Sequence, residues 1–380
     1  MDEPLSGFET LRAACAAALR DEPLGIGGNV PDLLALAERH RVVPLVAAGL
    51  GEGCPPGLRR RALALAAQTV RLEQELADVA VRLSAAGVEF LVLKGPGMAR
   101  QAYASPDHRA FDDLDLWVES RDLDAALGAM EEAGYVRTPA LTPRAAACAR
   151  RAGIEAALRH PERNRLIEVM HGARALAPDS RAALDVRAAA VELDVGGAWI
   201  RTPAPVHALL LASVHGAHHG WDRLGWVADV AGLWRRLTDA QRADACATAR
   251  RWRCETALGL ALRLAADHLR LEPDGDAQRL SAAPRALDLC RRVGLDRIQA
   301  ESLRMPMIER LCFERDVLDS PRQQVRMMAG WLFTPTMGDI EALPLPAALH
   351  PLYVLLRPLR LLRHPWRREG SLWKPRESGT

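Results

Sequence analysis

Apolar positions along the first third of the chain recur at helical spacing. Leu33, Leu34, Leu36 and Ala37, followed by Val42, Val43 and Leu45, draw one stripe, and the pattern predicts helices over 8–20, 31–50 and 56–86. Breaks rich in Gly and Pro at 25–31 and 51–57 separate them. The period then shortens. Val88–Leu93 is a compact apolar run that predicts a strand, Phe111–Val118 predicts a second, and a short helix over Gly97–Ala104 joins them. Ser120 stands where a helix N-cap would, with Asp122 and Asp124 in the first turn of a helix that ends near Ala133 and Gly134. Tyr135–Arg137 reads as a short strand. Ile154–His160 and Arg165–Met170 flank the turn-rich tetrad Pro161-Glu162-Arg163-Asn164 and predict a β-hairpin. Beyond about 175 the periodicity is helical with few strand signals, and no repeat of fixed period appears. The expected fold class is α+β. It comprises a helical N-terminal segment (1–86), a small mixed sheet flanked by helices (87–175), a helical domain (176–345) and a basic C-terminal tail (346–380).

The segment between the first two strands carries the chemistry. Phe90-Leu91-Val92-Leu93 breaks at Lys94-Gly95-Pro96-Gly97, and the next strand contains Asp113-Leu114-Asp115. Successive strand side chains point to opposite faces, so Asp113 and Asp115 share one face while Leu114, Leu116 and Val118 take the other. The same alternation sends Asp112 away from the pair. Two carboxylates on one strand face repel unless a cation lies between them, and hard divalent ions such as Mg²⁺ take oxygen ligands of this kind. The glycine-broken loop offers backbone N–H groups to phosphate. Lys94 is one of two lysines against 48 arginines, and it places a compact point charge at the strand end. A DxD on a strand is often only a solvated, charged face. The adjoining loop and lysine shift the reading toward metal-dependent phosphoryl or nucleotidyl transfer.

Leu93-Lys94-Gly95, then Tyr103, then Arg109 four residues before Asp113-Leu114-Asp115, resemble the signature of the uncharacterised nucleotidyltransferase family. That family belongs to the DNA polymerase beta-like nucleotidyltransferase superfamily. The commoner superfamily pattern has Gly-Ser, a short gap and the acidic pair. Here Lys-Gly stands for Gly-Ser and the gap from Gly95 to Asp113 is longer. The resemblance implies a nucleotidyltransferase palm that holds Mg²⁺ (or Mn²⁺) on Asp113, Asp115 and a third carboxylate from a neighbouring strand. It also implies nucleotide phosphates bound near Lys94, Gly95, Gly97 and Arg109. Glu168 fits the third place: it shares a face with Leu166 and Met170, and an acid on so apolar a strand needs a partner, either the shared metal or an arginine. Family members carry a His two residues after this acid, where this chain has Met170 and then His171. The implied substrates are an NTP and an acceptor that is a small metabolite, a sugar phosphate, a peptide or a protein side chain. Families of this kind are associated with bacterial peptide natural-product and exopolysaccharide gene clusters. The alternatives are a catalytically lapsed nucleotide- or partner-binding module and a transferase that uses a nucleotide sugar.

A second constellation runs from His215 through His218, His219, Trp221 and Trp226 to Asp229. A helix opening near Pro205 puts His215 and His219 on one face, Gly220 ends it, and a following helix presents Trp226 and Asp229. Two His at this spacing plus an Asp could bind zinc, but no HExxH and no fourth ligand accompany them, so packed core histidines are the favoured reading. The pattern also resembles a second signature of the same family. On that resemblance His215, His219 and Asp229 are assigned to the cleft.

Composition bounds the remainder. The chain has 380 residues, 49% hydrophobic and 26% charged, with a net charge of +2 that calls for no nucleic-acid partner. Its wealth of Ala, Arg and Leu favours helix and suggests a GC-rich bacterial genome. Seven cysteines, none in CxxC, argue against a disulfide framework and for a reducing, cytoplasmic location. The first ten residues lack a secretory core, and no apolar run approaches the ~18 residues of a membrane span. Near the C-terminus, Leu352–Leu362 carries Arg357 and Arg360, with Arg363, Arg367 and Arg368 following and no acid among them. Such a segment could lie on an anionic membrane or bind a partner, but Pro358 and Pro365 oppose a long helix. The expectation is a closing segment that docks Tyr353, Leu355 and Leu359 on the body and leaves its arginines in solvent.

Overall fold

The computed structural model describes residues 6–24, 32–163, 165–172, 180–299, 305–343 and 345–363. Asn164 of the hairpin turn, the break at 25–31, and Pro365, Arg367 and Arg368 of the tail lie outside the described residues, as does the side chain of Arg363. Five strands, β1 (Phe90–Val92), β2 (Asp113–Val118), β3 (Val136–Arg137), β4 (Ala156–His160) and β5 (Arg165–His171), form a mixed sheet in the order β1-β2-β5-β4-β3. β2 and β5 run parallel, and the other pairs are antiparallel. Helices flank this sheet and fill the C-terminal half, which is the expected α+β architecture.

Alternation along β2 and β5 decides what each face of the sheet meets. Leu114, Leu116 and Val118, with Ile167 and Val169, join a core made with Leu72, Leu76 and Val79 of helix Pro56–Ala85 and Leu127 and Met130 of helix Leu123–Glu132. Leu114 and Leu116 are fully buried, and side chains of this kind contribute roughly 1.5–3 kcal/mol each on burial. That anchorage fixes the strand register and therefore the orientation of the carboxylates opposite. Leu91, Trp117 and Met170 face the other way. They join a larger core built from helices Gly7–Ala18, Val43–Leu50, Pro205–His218, Leu224–Arg236 and Glu255–Leu269. The cores therefore do not divide at the sequence boundaries, because the N-terminal helices pack with the helical half.

Several local expectations are corrected. The helix over 31–50 is two, Leu33–Arg39 and Val43–Leu50. The break lets His40 accept from the backbone N–H of Leu224 through Nδ1 (3.2 Å), while its carbonyl accepts from Gly225 N–H (3.0 Å). Asp122, not Ser120, occupies the N-cap position of Leu123–Glu132, and Ser120 shares a hydrogen bond with His171. A second hairpin, β6 (Val191–Val195) and β7 (Ala198–Thr202), lies in the half expected to be helical. Its signal was present: Val-Glu-Leu-Asp-Val alternates, and Gly196-Gly197 supplies two consecutive positive φ angles (61° and 86°) for the turn.

The C-terminal expectation is reversed. Tyr353 docks as expected, but Leu355 and Leu359 are exposed and Arg357 is buried against Asp339. The helix Tyr353–Arg363 continues through Pro358. All seven cysteines are free. No described helix is long and apolar enough to cross a membrane.

Candidate active site

The parallel register of β2 and β5 sets Asp115 beside Glu168 and Asp113 beside Leu166. Parallel partners point to the same face, so Asp113, Asp115 and Glu168 project together from the face opposite Leu114 and Ile167. The antiparallel register of β4 and β5 then adds a residue that sequence reasoning missed. Ala157 lies opposite Glu168, and Glu155, the residue just before β4, comes close enough to feel Asp115 and to act on Glu168. Its carboxyl is raised by burial and then by the charge of Asp115, and it in turn raises Glu168. The clue was available: in a hairpin whose second strand carries a functional acid, the acid at a like-facing position of the first strand is its neighbour.

Four carboxylates thus meet one ammonium. Lys94 Nζ stands 3.7 Å from Asp115 Oδ2. The imbalance shows in the acids. Burial, then Asp115, pushes Asp113 up to about 6. Burial, then Glu155, Asp115 and Asp113, pushes Glu168 up to about 8. Among the described residues no trio of His, Cys, Asp or Glu is gathered at coordination spacing. The donor set nonetheless suits a hard divalent cation: oxygen ligands only, on one face, with more negative charge than the protein neutralises.

The signs of these shifts give a test. A carboxyl with a raised native pKa contributes stability that is present below its unfolded pKa and lost as pH rises through the native value. For Glu168 that window runs from about 4.5 to about 8. In metal-free protein, the melting temperature of Glu168→Gln relative to wild type is expected to climb as pH rises through this window, and Mg²⁺ should narrow the gap. Comparing the two proteins cancels the buried histidines, whose depressed values act in the opposite direction. A difference independent of pH would show that Glu168 ionises normally.

Arg109 and Asp229, assigned separately from sequence, are partners. Arg109 donates from Nε to Asp229 Oδ1 (2.8 Å) and from Nη2 to Oδ2 (3.1 Å), and Tyr103 donates its hydroxyl to Oδ1 (2.7 Å). Asp229 comes from helix Leu224–Arg236 of the helical half, so this cluster bolts that half to the palm. Arg109 is therefore not a free phosphate ligand. One nitrogen, Nη1, remains buried with no hydrogen-bond partner. The guanidinium lies close enough to Asp115 and Asp113 to feel both charges.

His215 and His219 pack as rings, 4.4 Å apart between centroids, with Trp226 5.4 Å and 4.8 Å away. Burial first, then the Lys94 charge, pushes His215 well below its ordinary value. Burial and His218 hold His219 at about 3. Burial and neighbouring positive charge, Lys94 included, favour the neutral form of both rings, and Asp229 is engaged elsewhere, which leaves no zinc trio among the described residues. His171 takes the opposite face of β5 from Glu168 and contacts Ser120, so it is not in the cluster. Gly95 adopts φ +55°, as its place at the strand-to-helix turn requires. A Cβ on Gly97 would stand 2.5 Å from Thr202 Oγ1, so the approach of β7 is what demands glycine there.

The family model of the uncharacterised nucleotidyltransferases matches residues 27–270, a span that holds the sheet, all four carboxylates and the Arg109–Asp229 bolt. The chain belongs to that family. Membership supports a general role in nucleotidyl transfer and implies a nucleotide substrate. No curated protein matches the chain.

Proposed function

We propose that this nucleotidyltransferase-family protein is a Mg²⁺-dependent enzyme that moves a nucleotidyl group from an NTP to an acceptor hydroxyl or phosphate. The observation that carries the reading is the common face of Asp113, Asp115 and Glu168 on adjacent parallel strands, with the Lys94 ammonium ion-paired to Asp115. Asp113 and Asp115, joined by Glu168, would hold divalent ions that neutralise the triphosphate and draw charge toward the leaving pyrophosphate. Glu168 would serve the acceptor side. A carboxylate raised toward neutral pH is suited to take the proton of the attacking hydroxyl. Lys94 exchanges Asp115 for phosphate, and the unpaired Nη1 of Arg109 supplies a second donor. His215, His219 and Trp226 form a neutral aromatic wall beside Lys94, which suits a nucleobase or an uncharged part of the acceptor.

The Lys94–Asp115 ion pair also favours a second reading, a lapsed module in which the lysine permanently replaces the metal. Substitution separates the two. Lys94→Ala is expected to weaken NTP binding by about 10–100-fold, the worth of a charge-assisted contact, with little effect on the bare nucleoside. Lys94→Arg should not fully restore it, because the guanidinium is larger and planar. Mg²⁺ affinity should hold or rise in Lys94→Ala, since a competing cation is gone. Equal NTP affinity in wild type and Lys94→Ala by calorimetry would reduce Lys94 to a structural partner of Asp115. Pyrophosphate release from an NTP marks the transferase, and nucleoside diphosphate release from a nucleotide sugar would replace it with a glycosyl-type transfer.

A further inference from the structure

Beyond residue 270, where the family match ends, helices Pro321–Phe333 and Tyr353–Arg363 pack side by side, and the burial of the second is inverted. Arg357 is only 2% exposed: its guanidinium donates to the Trp331 carbonyl (2.8 Å), to Thr336 Oγ1 (3.2 Å) and to Asp339 Oδ2 (2.6 Å). Arg360 also pairs with Asp339. With the polar groups satisfied inside, the apolar ones point out. Val354, Leu355 and Leu359 are 44%, 65% and 54% exposed, and Val325 on the adjoining helix is 68% exposed. No residue of Pro321–Phe333 is fully buried. A helix that buries Arg357 and shows Leu355 and Leu359 has its apolar stripe on the wrong side for a partnerless surface.

Charge selects the occupant. Neither helix contains an Asp or Glu, and Arg322 and Arg326 are exposed on the same face as Val325. No acid occurs anywhere from 342 to 368. A second copy of this face would bring arginines against arginines, which disfavours self-association. Nucleic acid would match the charge but leave the leucines uncovered. We propose that this face is a peripheral docking surface for an anionic lipid layer, with Val354, Leu355 and Leu359 entering the acyl boundary and Arg322 and Arg326 among the headgroups. The contact is with the surface only, since no described helix can span.

The test is co-sedimentation of the full chain with vesicles of phosphatidylcholine containing phosphatidylglycerol, against phosphatidylcholine alone. Wild type is expected to bind the anionic vesicles, less so as salt rises. Leu355→Asp with Leu359→Asp should lower partitioning by about 100-fold, as expected for two large side chains withdrawn from the acyl boundary. Arg322→Glu with Arg326→Glu should lower it by at least about 10-fold. Both pairs lie at exposed positions, and an unchanged thermal melt checks that the fold persists. Failure of wild type to bind anionic vesicles, or undiminished binding by the leucine variant, overturns the proposal. So does a wild-type dimer in sedimentation velocity that the leucine variant dissociates, which would assign the face to a second copy.

Discussion

The double substitution Asp113→Asn with Asp115→Asn is expected to abolish Mg²⁺-dependent NTP turnover while leaving a folded protein. Both side chains project from the functional face of β2, and the residues that anchor the strand, Leu114, Leu116 and Val118, are untouched. What the change removes is charge. Asparagine keeps the shape and one acceptor oxygen but cannot neutralise a divalent ion. Loss of outer-shell partners alone typically lowers metal affinity by about 10–100-fold, so loss of two direct ligands should exceed that range. The metal-free double variant should also lose the pH-dependent penalty of Asp113, because that raised carboxyl is itself removed, and Glu168 should fall toward its ordinary value, because two of the charges that raise it are gone. Titration of Mn²⁺ followed by its electron-spin resonance reads the ion without knowledge of the acceptor, and circular dichroism reads the fold. Wild-type affinity in the double variant would remove the metal from the mechanism.

Much of this site was legible because it depends on period-two geometry. Asp113 and Asp115, Leu114 and Leu116, and the hairpin that carries Glu168 follow from alternation and turn chemistry. Register was less accessible. That Asp115 lies beside Glu168 and that Glu155 completes the cluster depends on which strands pair, and Glu168 lies 53 positions after Asp115 along the chain, by subtraction of their numbers. The Tyr103–Asp229–Arg109 bolt was hidden for the same reason: its members were each conspicuous, but sequence spacing says nothing about a contact between palm and helical half. Arg357 is the opposite case. An arginine at helical spacing with leucines reads as the solvent face, and only the buried Asp339 on helix Met337–Ala342 inverts it. The β6–β7 hairpin was legible through Gly196-Gly197 and was obscured by the helical regions around it.

The bolt between the two halves carries the second large expected effect, this time on stability. Asp229 is 5% exposed, and it is the carboxylate that satisfies two guanidinium nitrogens of Arg109 and the hydroxyl of Tyr103. Its removal in Asp229→Ala leaves a buried cation uncompensated and a buried hydroxyl unpaired. Breaking a buried pair in this way costs about 3–5 kcal/mol. The same reasoning predicts a non-additive rescue. With Arg109→Met also present there is no orphaned charge, so the double variant should unfold later than Asp229→Ala alone, although two polar partners are missing rather than one. Activity should part company with stability. If Arg109 Nη1 reaches the nucleotide phosphates, the rescued double variant remains as impaired in NTP binding as Arg109→Met by itself. Denaturant unfolding of wild type, both single variants and the double variant closes this cycle. A coupling energy near zero would mean that Arg109 and Asp229 do not depend on each other in solution, and the joint between palm and helical half would then rest on the apolar core around Leu91, Leu93 and Trp117.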